Sequence, residues 1–314
     1  MIETPLVSIA VLNFNYAKFV TKALDSAANQ IYPNIEILIV DDQSTDDSVE
    51  VIQNWIRNYK GNFSVSFVIN DKNLGLSGSC NVILKNVKGK YFQLLDADDV
   101  LFPSKISKQV EIIERSKDIA VVYSNVTVID EFGNTTNPDY CSRIKYDKNK
   151  MPQGVVKEQL LDFNFITVHS ALINTTYAKD VGGFDETLVL QDYYMWLQLA
   201  EKYEFRFLND CTGAYRIHSA SMSNNIKTNP ASVNSAITLK YRYYDRSNDI
   251  VRKKLAKNIQ FAAVYLYQNK YSTSKKWLTV AFKLNPGFKT FLYFIAIRIG
   301  IPFSFFDRIK TAIR

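Results

Sequence analysis

This chain of 314 residues has only three cysteines, and their placement excludes stabilisation by a zinc site or by a disulfide framework. Cys80, Cys141 and Cys211 are odd in number and lie far apart, so they form neither a zinc-binding spacing nor a disulfide framework. The opening stretch MIETPLVSIAVLNFN also lacks the basic segment that begins a secretory signal peptide. Both observations favour a reducing compartment, and we expect a cytoplasmic protein.

Glycine is absent from NFNYAKFV, residues 13–20, which follow the first predicted strand. A dinucleotide-binding domain needs the pattern G-x-G-x-x-G at this place, so that the backbone can approach the phosphates of the cofactor. A sugar-phosphate nucleotidyltransferase normally begins with a glycine-rich loop and a basic residue. The missing glycine therefore disfavours both classes, and the nucleotidyltransferase is kept as the alternative class of enzyme.

No apolar run is long enough to cross a membrane, because a spanning helix needs ~20 apolar residues. The most apolar stretch is FLYFIAIRIGIPFSFFDRIKTAIR, residues 291–314, and Arg298 and Pro302 interrupt it. Its mixture of aromatic and basic side chains favours an amphipathic segment that lies in the membrane interface. A terminal helix packed in the protein core is the alternative.

Acidic side chains are rare in the last part of the chain. Residues 226–314 contain 17 Lys or Arg against three Asp, a net charge of +14, whereas residues 1–225 have a net charge of −7. The basic part favours an anionic lipid surface, so we expect a peripheral association with the inner face of the cell membrane. No nucleic-acid recognition motif accompanies the charge, and we expect no nucleic-acid partner.

Short apolar runs alternate with helical segments in the first hundred residues: LVSIAVL (6–12), IEILIV (35–40), VSFVI (65–69) and KYFQLL (90–95). This alternation predicts the α/β class, with a mostly parallel sheet flanked by helices. Further along, residues 119–129 predict another strand and residues 205–223 a short strand pair. Ligands of such sheets bind beyond the carboxyl ends of the strands, where polar side chains follow three of these runs.

The stretch YFQLLDADDVL, residues 91–101, places Asp96, Asp98 and Asp99 directly after a predicted strand. Buried carboxylates are costly unless they are paired or bound to a metal. One interpretation is a solvated turn in which Asp99 caps the helix that begins near Pro103. The other is a site for Mg²⁺ or Mn²⁺, since these ions prefer oxygen ligands and use one or two carboxylates together with substrate phosphates. The residues alone leave both open.

Several segments in a fixed order resemble the inverting family 2 glycosyltransferases with the GT-A fold, of the type that builds bacterial surface glycans. They are VSIAVLNFN, IEILIVDDQSTDDS, NLGLSGSCN, GKYFQLLDADD, GGFDE, QDYYMWLQL and YRIHSASMS. The resemblance covers about residues 5–223. It implies a GT-A catalytic domain over residues 1–225. Residues 226–314 lie outside the resemblance, and their Lys-rich helical pattern predicts a basic helical extension.

The resemblance also implies a role for individual side chains. Those matching donor-binding positions, for a nucleotide sugar, are Asn13, Asn15, Asp42, Asn73 and Asp96. Asp98 and His218 match the residues that hold a divalent cation, Mn²⁺ or Mg²⁺, and Asp192 matches the general base. Asp42 corresponds to the carboxylate that accepts a hydrogen bond from the uracil ring, which implies a UDP-sugar donor.

The chemistry of sugar transfer needs these residue types. The departing nucleotide diphosphate develops negative charge, which a divalent cation stabilises as a Lewis acid. The acceptor hydroxyl is a poor nucleophile, so a carboxylate must take its proton as it attacks the anomeric carbon. Attack opposite the leaving group in one step inverts the configuration. We therefore expect inverting transfer to a hydroxyl of a glycan or a lipid-linked acceptor.

The sequence departs from the family pattern at two places. Ser79-Cys80-Asn81 stands where many members have Ala-Arg-Asn, and Gln191 stands where an acidic residue often precedes the base. Alternative interpretations also stay open: Asp42 could cap the helix that follows it, His169 is expected to be a core histidine, and the whole chain could be a non-catalytic scaffold that binds glycans or nucleotides.

Overall fold

The computed structural model describes residues 4–219, 221 and 229–306. Its strands are β1 (Val7–Asn13), β2 (Ile35–Asp41), β3 (Ser64–Ile69), β4 (Tyr91–Asp96), β5 (Val100–Leu101), β6 (Ile119–Ile129), β7 (Thr135–Asn137), β8 (Leu172–Asn174) and β9 (Glu204–Arg216). Its helices are α1 (Val20–Ala28), α2 (Ser48–Asn58), α3 (Gly75–Asn86), α4 (Lys105–Ile113), α5 (Tyr140–Arg143), α6 (Lys157–Asp162), α7 (Thr175–Asp180), α8 (Gln191–Leu199), α9 (Pro230–Arg242), α10 (Asp249–Gln268), α11 (Ser274–Leu284) and α12 (Phe288–Arg298). A 3₁₀ turn at Val168–Ser170 precedes β8.

The described strands form one sheet in the order β3-β2-β1-β4-β8-β6-β9-β5, with β7 paired to β6. The first four strands of this order are parallel, as the sequence predicts for the nucleotide-binding half. Beyond β4 the sheet is mixed, because β8 is antiparallel to both of its neighbours while β9 runs parallel to β6. The predicted α/β class is therefore confirmed.

The central strands β1 and β2 are buried along their whole length. Strands covered by helices on both faces are mostly apolar, which is why VSIAVLN and IEILIVD are near-continuous apolar runs rather than alternating patterns. Their buried polar residues Ser8 and Glu36 are hydrogen-bonded to each other. Helix α1 contributes the buried positions Val20, Ala23, Leu24 and Ala27, whose spacing of three and four residues places them on one face. At the edge, β3 alternates between exposed and partly buried side chains.

The strand pair predicted for residues 205–223 is wrong, because β9 is a single strand of 13 residues. Its polar middle suggests a turn in the sequence. In the structure Leu208 pairs with Ser124 and Cys211 with the next residue, Asn125, so the two residues between them form a bulge and the strand continues. Gly213 allows β5 to pair closely with β9: a Cβ atom there would lie 2.6 Å from the carbonyl oxygen of Val100.

The carboxyl ends of three parallel strands coincide, as the sequence predicts. Asn13 at the end of β1 pairs in register with Asp41 at the end of β2, and Leu12 pairs with Asp96 at the end of β4. The polar residues that follow these strands therefore meet at one edge of the sheet.

The chain divides into two compact units, Met1–Ser221 and Met222–Arg314. The division predicted between residues 225 and 226 lies outside the described residues, as do residues 307–314 at the end of the predicted interfacial segment. In the second unit, helices α9 to α12 surround their own core, which includes Ile259, Leu266 and Trp277. Within the described ranges no helix combines the length and the apolar character that a membrane span requires.

Candidate functional site

Asp98, in the loop that follows β4, faces His218, which lies two residues after the end of β9. The Nε2 atom of His218 lies 3.1 Å from Oδ2 of Asp98, and both side chains are almost fully buried. Phe19 lies against the imidazole with ring centroids 4.8 Å apart, and Tyr16 meets it edge-on at 5.6 Å. Burial and the charge of Asp99 raise the pKa of Asp98 to about 6, against the hydrogen bond from His218. The structure thus brings the two predicted metal ligands together.

Asp99, the next residue, is buried and contacts other partners. Its Oδ1 accepts a hydrogen bond of 2.8 Å from the backbone N–H of Arg216, and its Oδ2 lies 2.8 Å from Nδ1 of His169. Burial raises the pKa of Asp99 to about 8 despite the favourable charge of Arg216. The interpretation of Asp99 as a helix cap is wrong, because α4 begins later, at Lys105, and Ser104 occupies its N-cap position.

His169 is a core histidine, as predicted, but it lies directly against the acidic loop. Its ring stacks on Tyr215 with centroids 5.3 Å apart, and its contact with Asp99 is not aligned for a hydrogen bond. Burial, followed by the charge of Lys105, lowers the pKa of His169 to about 3, so the imidazole is neutral. It acts as a polar packing partner of Asp99 rather than as a cation.

Arg216 was not predicted from the sequence, yet it holds the acidic loop in place. Its Nε donates to the carbonyl oxygen of Asp98 at 2.7 Å, and its Nη1 donates to the carbonyl oxygen of Asp130 at 3.0 Å. The guanidinium is fully buried and lies 5.1 Å from the centre of the Phe19 ring. The signal in the sequence is the spacing R-x-H: an arginine two residues before His218 in an extended segment lies on the same side as the histidine.

Asp96 differs from its two neighbours because, among the described residues, nothing donates a hydrogen bond to its carboxylate or forms an ion pair with it. Burial raises the pKa of Asp96, and the charges of Asp98, Asp99 and Asp192 raise it further. The ionised form of Asp96 therefore has no compensating cation among the described side chains.

The carboxylate of Asp42 caps helix α3. Its Oδ1 accepts hydrogen bonds from the backbone N–H of Leu74 at 2.7 Å and from the side chain of Asn70 at 2.9 Å, and its Oδ2 accepts one from the backbone N–H of Gly75 at 2.9 Å. The alternative that Asp42 caps the next helix along the chain is wrong. A carboxylate can accept about four hydrogen bonds, so three donors leave it room for one more.

Asn13 and Asn15, at the end of β1 and just after it, form hydrogen bonds with the loop that follows β2. The amide nitrogen of Asn13 donates to Asp41 at 2.7 Å and to Ser44 at 3.1 Å, while its amide oxygen is buried without a partner in the described part of the chain. Asn15 adopts a left-handed backbone with φ of 58°, and its Oδ1 accepts from the backbone N–H of Thr45 at 2.7 Å. Both predicted donor-binding residues thus shape the loops that line the strand edge.

Asn73 supports the same edge, since its side-chain nitrogen donates to the carbonyl oxygen of Asp42 at 3.2 Å. The hydroxyl groups of Ser44 and Thr45 donate to Asp41 and Asn15, whereas the carboxylate of Asp46 accepts from the backbone N–H of Ser48 at 3.0 Å. Helix α2 begins later, at Ser48.

Asp192 lies in the first turn of α8. Its Oδ2 faces the side-chain nitrogen of Asn164 at 3.4 Å, and its Oδ1 accepts from the backbone N–H of Tyr193 at 2.6 Å. Burial raises the pKa of Asp192 to about 6 even though the preceding residue is Gln191 rather than an acid. Trp196, one turn further, is a fully buried core residue.

Helix α3 fixes the segment that leads to Asp192. The Asn81 side chain donates to the carbonyl oxygen of Phe184 at 3.0 Å and accepts from the Phe184 N–H at 2.9 Å, while Ser77 donates to the carbonyl oxygen of Leu188 at 2.7 Å. Gly183 has φ of 73°, and a Cβ atom there would lie 2.9 Å from Oδ1 of Asn81. The segment Ser79-Cys80-Asn81 lacks the arginine of many family members, and its Asn81 holds the residues that lead to α8 in place.

Cys80 shows that the acidic residues share one region. This thiol is fully buried in α3, and burial raises its pKa. The charges of Asp96, Asp192 and Asp42 raise the pKa further, which requires all three carboxylates to lie within electrostatic reach of the one sulfur atom. Helix α3, which contains Cys80, contacts both the strand edge through Asp42 and the segment before α8 through Ser77 and Asn81.

The donor set of this site suits a hard divalent cation. Asp98 and His218 provide a carboxylate and an imidazole, and Asp96 provides a further carboxyl group, whose raised pKa a bound cation would lower. Within the described ranges, no group of three or more His, Cys, Asp or Glu residues is arranged to hold a metal ion. A cation would therefore need further oxygen atoms from a substrate, as Mg²⁺ sites commonly do.

Comparisons with known proteins place the chain in a wider group. The model of the family described as Glycosyl transferase family 2 matches residues 8–178. An uncharacterized glycosyltransferase of Rickettsia prowazekii is 32% identical over 232 residues, which are 71% of this chain and 67% of that protein. A glycosyltransferase of Rickettsia felis is also 32% identical over 232 residues, 72% of this chain, but the match spans only 36% of that longer protein.

A relative of named activity is the UDP-Glc:alpha-D-GlcNAc-diphosphoundecaprenol beta-1,3-glucosyltransferase of Escherichia coli. It is 30% identical over 221 residues, which are 70% of this chain and 80% of the relative.

Two solved structures share the fold. Mannosyltransferase PcManGT of Pyrobaculum calidifontis, in complex with GDP-Man and Mn²⁺, aligns over 96% of this chain and 88% of its own, with a TM-score of 0.60 and 15% identity. Residues 1–349 of S. aureus TarS, in complex with UDP-GlcNAc, align over 92% of this chain and 78% of that one, with a TM-score of 0.61 and 17% identity. At such identities the likeness concerns the fold alone, and it confirms the predicted GT-A fold.

Proposed function

Because the chain belongs to glycosyl transferase family 2, we propose that it transfers a sugar from a nucleotide-diphosphate donor, a UDP-sugar, to a hydroxyl group of a glycan or of a lipid-linked acceptor. The E. coli relative supports this choice, since its name specifies a UDP-sugar donor and a diphosphoundecaprenol-linked acceptor. The fold neighbours crystallised with nucleotide sugars support a donor of this class.

The observation that carries the proposal is the position of Asp192 beside the acidic loop. Its negative charge is one of the causes that raise the pKa of Asp96, and helix α3 contacts both regions: its Gly75 N–H donates to Asp42, while Ser77 and Asn81 hold the segment before α8. A pKa of about 6 leaves Asp192 ionised at neutral pH and raises its proton affinity above that of an ordinary aspartate. Asp192 is therefore the general base that takes the proton of the acceptor hydroxyl.

The donor occupies the strand edge. Asp98 and His218 would hold Mn²⁺ or Mg²⁺, which would supply Lewis-acid stabilisation of the leaving diphosphate. Asp42 offers its remaining acceptor position to the uracil ring, and Asp96 binds the ribose or the sugar. With the base and the leaving group on opposite sides of the anomeric carbon, the transfer inverts its configuration.

A panel of nucleotide sugars, scored for hydrolysis and for binding with Mn²⁺, Mg²⁺ or a chelator, tests the proposal. We expect one UDP-sugar to bind in a metal-dependent way and to be hydrolysed slowly or transferred. Asp192→Asn should keep donor binding and lose turnover, while the control Asp180→Asn, at an exposed position of α7, should keep both.

The outcomes separate the alternatives. A non-catalytic scaffold would bind UDP without turnover in the native chain, and a nucleotidyltransferase would release pyrophosphate from a nucleoside triphosphate and a sugar phosphate. Turnover that survives in Asp192→Asn would remove this residue from the chemistry. Loss of donor binding in the same variant would make it a structural residue.

A further inference from the structure

Helix α12 is more apolar on its exposed face than on its packed face. The residues that it buries include Thr290 and Ala296 as well as Tyr293. The exposed apolar side chains, which we name the α12 stripe, are Phe288, Phe291, Leu292, Ile295 and Ile299. A helix at the surface of a soluble domain normally shows the reverse distribution, with charged and polar residues facing water.

The α12 stripe is one continuous surface. Phe288, Leu292, Ile295 and Ile299 follow each other at intervals of four, three and four residues, so they lie along one side of the helix. At a rise of 1.5 Å per residue they span about 16 Å. Phe288 is 78% exposed and Ile299 is 67% exposed. Single exposed apolar residues need no explanation, but a contiguous patch of this kind marks a surface that a partner covers.

The charge around the α12 stripe indicates which kind of partner would bind there. From Ile250 to Phe306 the chain has ten Lys or Arg and no Asp or Glu. Lys289 and Arg298 are exposed on α12 itself, and the Arg298 guanidinium lies 4.3 Å from the centre of the Phe294 ring. A second copy of the chain would bring two strongly basic surfaces together, which Coulomb repulsion opposes. An anionic surface is complementary.

We propose that the α12 stripe docks on an anionic membrane surface, with its apolar side chains in the interface and the neighbouring lysine and arginine side chains at the lipid phosphates. A helix of 11 residues is too short to span a bilayer but long enough to lie in its interface. The docking segment starts at Phe288, ahead of the stretch 291–314 predicted from the sequence. For a transferase that acts on lipid-linked acceptors, docking brings the enzyme to its substrate, yet docking itself needs neither donor nor acceptor.

Co-sedimentation of the full-length chain with vesicles tests the docking separately from sugar transfer. Vesicles of phosphatidylcholine, with and without phosphatidylglycerol, serve as the probe. The test variant carries Phe288→Ser, Leu292→Ser and Ile299→Ser. The matched control carries Ile31→Ser, Val155→Ser and Ile250→Ser, which are apolar positions outside α12 with exposed fractions of 66%, 73% and 73%. Circular dichroism and the thermal midpoint establish that both triple variants fold.

We expect the native chain and the control to bind vesicles that contain phosphatidylglycerol, and high salt to weaken this binding. The α12 variant should lose more than about tenfold in partition, because three apolar side chains no longer leave water. Lys283→Glu combined with Lys289→Glu, which keeps the stripe, should also reduce binding to the anionic vesicles.

Three results would overturn the proposal. They are vesicle binding by the α12 variant equal to that of the native chain, equal binding of the native chain to neutral and anionic vesicles, and no binding of the native chain to either. A native dimer that the α12 variant converts to a monomer, together with absent vesicle binding, would identify the stripe as an interface between copies.

Discussion

Asp99 accepts a hydrogen bond from the backbone N–H of Arg216 at 2.8 Å, although 117 residues separate the two in the chain. The guanidinium of Arg216 contacts the same acidic loop, since its Nε donates to the carbonyl oxygen of Asp98 at 2.7 Å. The end of β9 therefore sets the shape of the acidic loop. Since His218 follows Arg216 by two residues, one short segment positions both proposed metal ligands.

Arg216→Lys should weaken metal-dependent donor binding by about 10- to 100-fold, the usual cost of losing a residue that orients a metal ligand. Lysine keeps the charge but cannot reproduce the separate hydrogen bonds to the carbonyl oxygens of Asp98 and Asp130. A Mn²⁺ titration of donor binding measures the effect. Arg206→Lys, in the same strand and paired with Glu204 near the surface, is the control. An unchanged Mn²⁺ half-saturation in Arg216→Lys would contradict this positioning role.

Asp42→Ala should lower the free energy of unfolding by about 1–3 kcal/mol, because the backbone N–H groups of Leu74 and Gly75 lose their acceptor. Urea denaturation measures the change. Asp47→Ala should stay within about 0.5 kcal/mol, since Asp47 precedes α2 without a side-chain capping bond. If Asp42→Ala impaired donor binding with native stability, the capping role would be minor.

Gly183→Ala should lower the free energy of unfolding by about 1–3 kcal/mol and reduce turnover. The added Cβ would be strained at φ of 73° and would displace the Asn81 side chain, which holds the segment leading to α8. Gly287→Ala, where nothing lies within 4 Å of the new Cβ atom, is the matched control. Denaturation and donor-hydrolysis rates on both variants test the expectation, which equal effects would refute.

Asp192→Asn should stabilise the fold at neutral pH while it abolishes turnover. The folded pKa of Asp192, about 6, lies above the unfolded value of ~3.9, so the folded state binds the proton more tightly. The resulting stability is present below pH ~4 and is lost as the pH rises through about 6, a difference of about 2–3 kcal/mol. Urea denaturation at several pH values between these limits measures it.

In Asp192→Asn the loss of stability with rising pH should be smaller than in the native chain by this amount, because Asp98 and Asp99 still titrate, whereas Asp180→Asn should show the native profile. A difference between Asp192→Asn and the native chain that does not change with pH would mean that the folded pKa of Asp192 is close to its unfolded value.

The sequence predicts the parallel half of the sheet well because its information is local. Strands such as β1 and β2 are buried on both faces, so each is visible as an apolar run, and a polar residue at the end of each run indicates the site. The predicted ligands Asp98 and His218 do meet, and Asp192 lies within electrostatic reach of Asp96.

The parts that escaped prediction depend on contacts between distant segments. Asp42 caps a helix that begins 33 residues later, and nothing near Asp42 in the sequence indicates this partner. The bulge in β9 looks like a turn until β6 supplies the pairing partner on both sides of it. In the sequence, Arg216 cannot be told from the other basic residues, because its burial is visible only in the folded chain.

The buried thiol of Cys80 can report on how often the active site opens. Thiol reagents attack the thiolate, and the surrounding carboxylates together with burial keep Cys80 protonated and out of reach in the folded chain. Cys211 is exposed and supplies an internal reference for reagent activity. The rate at which Cys80 is alkylated therefore measures the detachment of α3 from the strand edge, and a donor that clamps this edge should slow the labelling.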